Sequence, residues 1–384
     1  MAEVLSGPPA YANWRALQAA APCLATEEYP LFTDAWIVGE TTQGPYQFLN
    51  TVPQWEPALI QPAIVLRINR HTDFDHITAQ DMEKTNTDRY HAGSFPEEVA
   101  ALASLAMGIR LKAGGITRRF EPNGDPKGRP SEWGARPFTN FILHKNPSGW
   151  VLASGAEGTH PLNQLEVLTN LPRLSTLNAI ALVRAARLYQ EALWLVESEP
   201  ELSWLMLVSA IETAANQWRR TKESSVARLK ASKPELYEYL AGIGRDVAVK
   251  VAEQIADSLG STRKFVDFIL CFLPTAPSAR PAEWWQHPWD EPRISKSMQI
   301  IYNYRSKALH EGRPFPAPMC AVPTRFTEWL APAEIPGGMA TAVAGGIWLA
   351  KDTPMLLHTF EYIVRGVLLE WWKQGAPLDT RDEG

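Results

Sequence analysis

An arginine and a histidine near the end of one predicted helix could together cleave RNA without a metal ion. Residues 293–309 place apolar side chains at steps of three and four, which predicts a helix, and Gly312 ends it. Arg305 falls on the apolar stripe together with Leu309, so we expect its guanidinium to point into the protein. His310 lies about 140° away around an ideal helix, and we expect the last turn to loosen and bring it toward Arg305.

Such a pair would supply the two functions that cleavage of RNA by its own 2′-OH requires. An imidazole can act as a base toward the 2′-OH or as an acid toward the leaving oxygen. A guanidinium can hold the charge that builds on the phosphate. The residues therefore suggest Arg305 and His310 as the catalytic groups of a ribonuclease that needs no metal ion or other cofactor.

The same residues also have a purely structural interpretation. Arg305 could form a salt bridge with Glu212, which lies in a strongly apolar predicted helix, and His310 could simply stabilise a helix C-terminus. Glu212 could orient Arg305 or His310 for catalysis, as carboxylates orient imidazoles in other enzymes, or form an ion pair within a helical bundle. We favour the catalytic interpretation of Arg305 and His310, and both interpretations of Glu212 stay open.

An Arg–His spacing of this kind occurs at two other places in the chain. Arg70 precedes His76 after a predicted strand, and Arg280 precedes His287 in a loop rich in proline and tryptophan. Only the pair at positions 305 and 310 ends a predicted helix. The context of that pair, rather than its spacing, favours it.

Five residues around Arg305 form the predicted contact region for an RNA substrate. A tyrosine ring there could stack on an unpaired base. Tyrosines at such positions also pack between helices, which is the more common arrangement. The predicted substrate-binding residues are Tyr302, Asn303, Tyr304, Ser306 and Lys307.

A second polar cluster follows the strand predicted at residues 60–70. His71, Asp73 and Asp75 alternate onto one face of an extended chain, and with His76 they could bind a divalent metal ion. The run only partly resembles the His-x-His-x-Asp-His of metallo-β-lactamase-like hydrolases, because Asp73 replaces the second histidine and no later ligands follow. A charged exit from the strand explains the cluster as well, so no metal site is predicted here.

The elements that must position these residues differ between the two halves of the chain. Residues 1–165 predict a mixed α+β domain, with a strand at 60–70, a helix after Ser94 and a second strand at 138–146. Ser94 and Glu97 have the spacing of a capping box.

Residues 171–376 predict an α-helical bundle. Apolar residues from Leu174 to Leu195 recur on one helical stripe, and the run from Trp204 to Ile211 is apolar almost all round, as in a central bundle helix. Further helices follow, and the last is predicted to begin at Thr353 and Pro354. The expected fold class is mainly α, with this bundle preceded by the mixed N-terminal domain.

Two segments of this bundle resemble the HEPN superfamily, and more narrowly the ApeA-like HEPN group. The first is Arg305–His310 at the end of a late helix, and the second is the run LVSAIETAAN, which contains Glu212. Where the family often has Asn, Asp or His after the arginine, this chain has Ser306. The resemblance covers roughly residues 171–372.

The resemblance implies a core of four or five helices and a homodimer that brings two Arg/His pairs into one cleft. Many members of the family are metal-independent endoribonucleases in antiviral defence or toxin systems, and they leave a 2′,3′-cyclic phosphate. Some members are inactive, so the alternative is a non-catalytic HEPN module that binds nucleotide, RNA or a protein partner. We expect the N-terminal domain to select the RNA or to sense a protein or phage-derived trigger.

The composition limits the remaining possibilities. The chain has 384 residues, 45% of them hydrophobic, and a net charge of −5, which argues against a protein that coats nucleic acid by bulk charge. Its three cysteines are far apart and give neither a disulfide framework nor a metal motif. With no signal peptide and no long uncharged apolar run, the sequence predicts a soluble cytoplasmic protein without a membrane partner.

Overall fold

The computed structural model describes ten parts of the chain. They are residues 7–51, 60–73, 85, 91, 93–130, 149–152, 158–218, 224–255, 260–325 and 331–375, apart from the side chains of 228, 231 and 232.

Eleven strands occur in the described residues, and most of them belong to the N-terminal half. They are β1 (Ala25–Thr33), β2 (Trp36–Val38), β3 (Thr41–Gln43), β4 (Tyr46–Asn50), β5 (Gln61–Arg70), β6 (Lys112–Ala113), β7 (Arg118–Phe120), β8 (Arg129–Pro130), β9 (Thr159–Pro161), β10 (Ala340–Val343) and β11 (Gly346–Leu349).

An antiparallel sheet forms the centre of the N-terminal half. Its strand order is β3-β4-β5-β1-β7-β8, and β6 also pairs with β1. In β5, Ile64, Leu66 and Ile68 alternate with less buried residues, so one face of the sheet lies on the core. The strand predicted at residues 60–70 is thus confirmed, whereas the one predicted at 138–146 lies outside the described residues.

Ten α-helices occur in the described residues, two of them in the N-terminal half. They are α1 (Pro9–Gln18), α2 (Phe95–Met107), α3 (Thr176–Leu195), α4 (Pro200–Trp218), α5 (Ser225–Ser232), α6 (Pro234–Ile243), α7 (Arg245–Ile255), α8 (Ser261–Cys271), α9 (Glu291–Glu311) and α10 (Leu357–Gln374).

Helix α2 begins where its capping signal predicts. The Glu97 carboxylate accepts hydrogen bonds from both the backbone N–H and the hydroxyl of Ser94, at 2.7 and 2.9 Å. The helix ends at Gly108, whose φ of 71° suits the left-handed conformation that glycine adopts readily. Nearly every side chain of α2 is buried, so this helix packs against both the sheet and α3.

The largest apolar core of the described residues extends through both halves of the chain. The same cluster of buried side chains includes Ile64 and Leu66 of the sheet and Trp204, Phe315 and Phe360 of the helical half. Within it, the Trp204 ring stacks between Phe315 and Phe360, with centroid distances of 5.3 and 4.7 Å. The junction predicted near residues 165–171 lies inside a 3-10 helix, Leu162–Arg173, rather than in an exposed linker.

The helices of the C-terminal half occur in the order that the sequence predicts, but three details differ from the prediction. Helix α3 starts after Leu174, and Leu177, predicted on its apolar stripe, is 42% exposed because the buried side of α3 is centred on other positions. Helix α10 begins three residues beyond Pro354.

No helix of the described residues is long and apolar enough to cross a membrane.

Candidate functional site

Helices α4 and α9 bring Glu212 and Arg305 together. Asp290 caps the N-terminus of helix α9, and its carboxylate accepts a hydrogen bond from the Arg293 backbone N–H at 3.1 Å. Its buried side carries Ile294, Met298 and Ile301 into the core. These three residues belong to the stripe that predicted an inward-pointing Arg305.

The guanidinium of Arg305 forms an ion pair with Glu212. Arg305 Nη2 donates to Glu212 Oε2 at 2.6 Å, and the side chains are only 21% and 16% exposed. The hydroxyl of Tyr302 donates to the other carboxylate oxygen at 2.7 Å. The guanidinium carbon also lies 5.6 Å from the centre of the Tyr302 ring. Glu212 therefore holds Arg305 and Tyr302 at once.

Tyr302 packs between helices and does not face solvent. It is 7% exposed, and its ring lies 5.2 Å from that of Phe265 in α8. Burial, and then the hydrogen bond to Glu212, raise the pKa of Tyr302 to about 12. The prediction that Tyr302 binds substrate does not fit this placement, because a ring buried between helices cannot stack on a base.

His310 lies on a different side of α9 from Arg305. The helix continues through Glu311, so the last turn does not loosen, and the prediction that His310 swings toward Arg305 was wrong. His310 is exposed and, among the described residues, makes no hydrogen bond or ion pair. Leu309, predicted to be buried, is 53% exposed because the last turn of α9 is open to solvent on most sides.

Two of the remaining predicted contact residues, Asn303 and Lys307, share a face of α9 with His310 rather than with Arg305. Asn303, Lys307 and His310 are all exposed, and their spacing of four and three places them on one face of α9. Ser306 is half-buried. Tyr304 is half-buried as well, and its hydroxyl donates to the Asp352 carbonyl at 2.9 Å.

The predicted polar cluster after β5 lies partly outside the described residues, which do not include Asp75 or His76. The His71 ring is 2.8 Å from the Ala21 carbonyl oxygen, and Asp73 is largely exposed, 3.8 Å from Arg70. The described residues contain no group of three His, Cys, Asp or Glu side chains that could hold a metal ion.

Arg280 and His287, whose spacing resembles that of Arg305 and His310, belong to a polar cluster with Glu334. The Arg280 guanidinium donates to both carboxylate oxygens of Glu334, at 2.8 and 2.6 Å, and to the His287 carbonyl at 2.6 Å. The same carboxylate accepts the His287 backbone N–H at 2.7 Å. The guanidinium thus contacts the backbone of His287 and not its ring.

The imidazole of His287 is buried against α9. Its Nε2 lies 2.8 Å from the Ser297 hydroxyl, and its Nδ1 is buried with no hydrogen-bond partner among the described residues. Burial lowers the pKa of His287 to about 4, although the Glu334 carboxylate opposes the shift, so the ring is neutral at pH 7. Sequence alone could not pair this loop with Glu334, which lies in a proline- and glycine-rich stretch without a regular pattern.

The chain matches no protein-family profile, no curated protein and no solved structure. Its candidate sites therefore depend on their own geometry.

Proposed function

We propose that this chain is a metal-independent endoribonuclease of the HEPN type, which cleaves RNA by attack of the 2′-OH on the neighbouring phosphate. The observation that supports the proposal is the ion pair of Glu212 with Arg305, close to the end of the helix that carries His310. The role in antiviral defence or as a toxin is part of the same proposal.

Each residue has a distinct role in the proposed reaction. His310, exposed at the end of α9, takes the proton from the 2′-OH or returns one to the leaving oxygen. Arg305 binds the charged phosphate through guanidinium donors that Glu212 does not occupy, and Glu212 positions it. Asn303 and Lys307, on the face of His310, contact the RNA backbone.

A homodimer is part of the proposal because one chain keeps Arg305 and His310 on different sides of α9. A second copy across the helix end would place its own Arg305 or His310 in a shared cleft. The 53% exposed Leu309 beside His310 supplies an apolar contact for such a partner.

The N-terminal half would select the RNA or respond to a protein or phage-derived trigger. Because its sheet shares a core with the helices, we expect point variants of its surface to be more informative than its deletion.

The test is RNA cleavage in the presence of EDTA, with wild type beside His310→Ala and the product ends identified. We expect cleavage to survive EDTA, to leave a 2′,3′-cyclic phosphate and to disappear in the variant. Gln299→Ala, an exposed polar change about three turns earlier in α9, serves as the matched control and should cleave normally. Full cleavage by His310→Ala would reject the proposed site.

A second candidate function is a non-catalytic module that binds nucleotide, RNA or a protein partner. The observation that favours it is the separation of His310 from Arg305 around α9 within one chain. It predicts that wild type and His310→Ala bind RNA equally and that neither cleaves any of several RNAs.

A further inference from the structure

A pocket of about 530 Å³ opens beside the Arg280–Glu334 pair, between the loop of residues 280–289 and the first turns of α9. Its volume is in the range of small-molecule sites. Its lining includes two tryptophans, a histidine and three basic residues: Trp284, Trp285, His287, Arg293, Lys296 and Lys351.

The charged side chains that line this pocket are all basic. Arg293 and Lys296 come from α9, and Lys351 comes from the turn before α10. Lys296 and Lys351 are exposed. The Arg293 guanidinium lies 3.6 Å from the Asp290 carboxylate, and an exposed ion pair of this length stabilises the protein little. In a chain of net charge −5, three cationic residues that line one pocket with no acidic lining residue favour an anionic ligand.

Two tryptophans, Trp284 and Trp285, line the pocket. Trp284 is 72% exposed, which is unusual for the largest apolar side chain. The Trp285 ring packs against Gly337, where a Cβ atom would lie 2.6 Å from it, so the glycine is needed for this close approach. An exposed indole ring stacks favourably on a planar heterocycle.

The buried lining residues His287 and Ser297 make part of the pocket polar. Arg280 and Glu334 fix the His287 backbone, and the neutral His287 ring pairs with Ser297. The Nδ1 atom of His287 has no hydrogen-bond partner among the described residues, and buried polar atoms in that state are rare.

We propose that this pocket binds one nucleotide, with its base stacked on Trp284 and its phosphate held by Arg293, Lys296 and Lys351. The nucleotide is either free or one unit of an RNA chain, since both present the same base and phosphate. The proposal does not depend on the ribonuclease proposal, because none of these residues has a role in the proposed RNA cleavage.

The test is calorimetric titration of the full chain with the four nucleoside 5′-monophosphates, adenosine, inorganic phosphate and a short single-stranded RNA. We expect at least one nucleoside monophosphate to bind more tightly than either adenosine or phosphate. Trp284→Ala and Lys351→Ala should each weaken that binding by about ten-fold or more. Trp36→Ala and Lys250→Ala, at exposed positions elsewhere, are the matched controls.

His310→Ala should bind nucleotide like wild type, so loss of cleavage and loss of this site can be told apart. If the RNA binds and the free nucleotides do not, and Trp284→Ala weakens that binding, the result would support a pocket that holds one nucleotide of an RNA chain. Equal binding of phosphate and nucleotide, insensitive to Trp284→Ala, would overturn the proposal. The absence of binding by every probe would also overturn the proposal.

Discussion

Glu212 and Arg305 are joined by an ion pair of 2.6 Å that links α4 to α9 across 93 positions of sequence. Both side chains are mostly buried, and the second carboxylate oxygen of Glu212 is occupied by Tyr302. A mostly buried ion pair adds little net stability while both partners are present. Removal of one partner is strongly destabilising, because the remaining charge has no counter-ion.

Glu212→Gln should lower the free energy of unfolding by about 1–3 kcal/mol. The amide can still accept a hydrogen bond from Arg305 but supplies no negative charge. Urea denaturation of wild type and variant measures the difference. Glu201→Gln, an exposed change in the first turn of α4, should have little effect. Equal stability of Glu212→Gln and wild type would mean that the ion pair contributes nothing to the fold.

The surroundings of Arg305 could be predicted from the sequence only in part. The spacing of Ile294, Met298 and Ile301 correctly predicted that Arg305 faces the bundle, because burial of a stripe fixes which way a helix turns. The same periodicity failed at Leu309, since helical spacing does not reveal where a neighbouring element stops covering a helix.

The pocket beside His287 was hidden from sequence reasoning for a different reason. Its loop is held by Glu334, and its walls come from segments with no regular period. Irregular segments are positioned by individual long-range hydrogen bonds, which composition and spacing do not predict.

Arg305→Lys should separate structure from catalysis. The lysine keeps the positive charge beside Glu212, so we expect a change in unfolding free energy within about 1 kcal/mol. It lacks the planar donor fork that suits a phosphate, and cleavage should fall by about a hundred-fold or more. Arg313→Lys, at an exposed site just past α9, is the control. Unchanged cleavage by Arg305→Lys would show that the residue is structural.

Leu309→Glu tests the proposed homodimer. A charge in place of an exposed apolar side chain cannot be buried against a second copy without a large desolvation penalty. We expect light scattering to show a dimer for wild type and a monomer for the variant, with cleavage lost. Leu202→Glu, at a comparably exposed leucine of α4, should remain dimeric. A monomeric wild type would remove the shared cleft from the proposal.

Arg110→Ala should destabilise both halves of the chain together. Arg110 is fully buried and donates to Asp34 at 2.6 Å, to Glu197 at 3.1 Å and to the Leu193 carbonyl at 2.9 Å. Its loss leaves two buried carboxylates without a cation, which should lower stability by about 3–5 kcal/mol.

The measurement for Arg110→Ala is denaturation followed by circular dichroism and by tryptophan fluorescence. A single coincident transition, shifted by the variant, would confirm that the halves unfold as one unit. Arg129→Ala, which breaks an exposed ion pair with Asp125, is the control. Two separate transitions in wild type would instead support independent domains.

Glu98→Gln should stabilise the protein more as the pH rises. Burial raises the pKa of Glu98 to about 8, although a hydrogen bond from the Ala10 N–H and the charge of Arg187 oppose the shift. The folded state therefore favours the protonated carboxyl, and the stability that this gives is complete below about pH 4.5 and is lost as the pH rises toward 8.

Glutamine resembles the protonated form at every pH. The stability gained by the variant should grow by up to about 1.4 kcal/mol per pH unit across that window. Urea denaturation from pH 5 to 8 measures this gain, and Glu166→Gln, an exposed carboxylate, should show none. A gain that does not change with pH would mean that Glu98 is ionised in the folded protein.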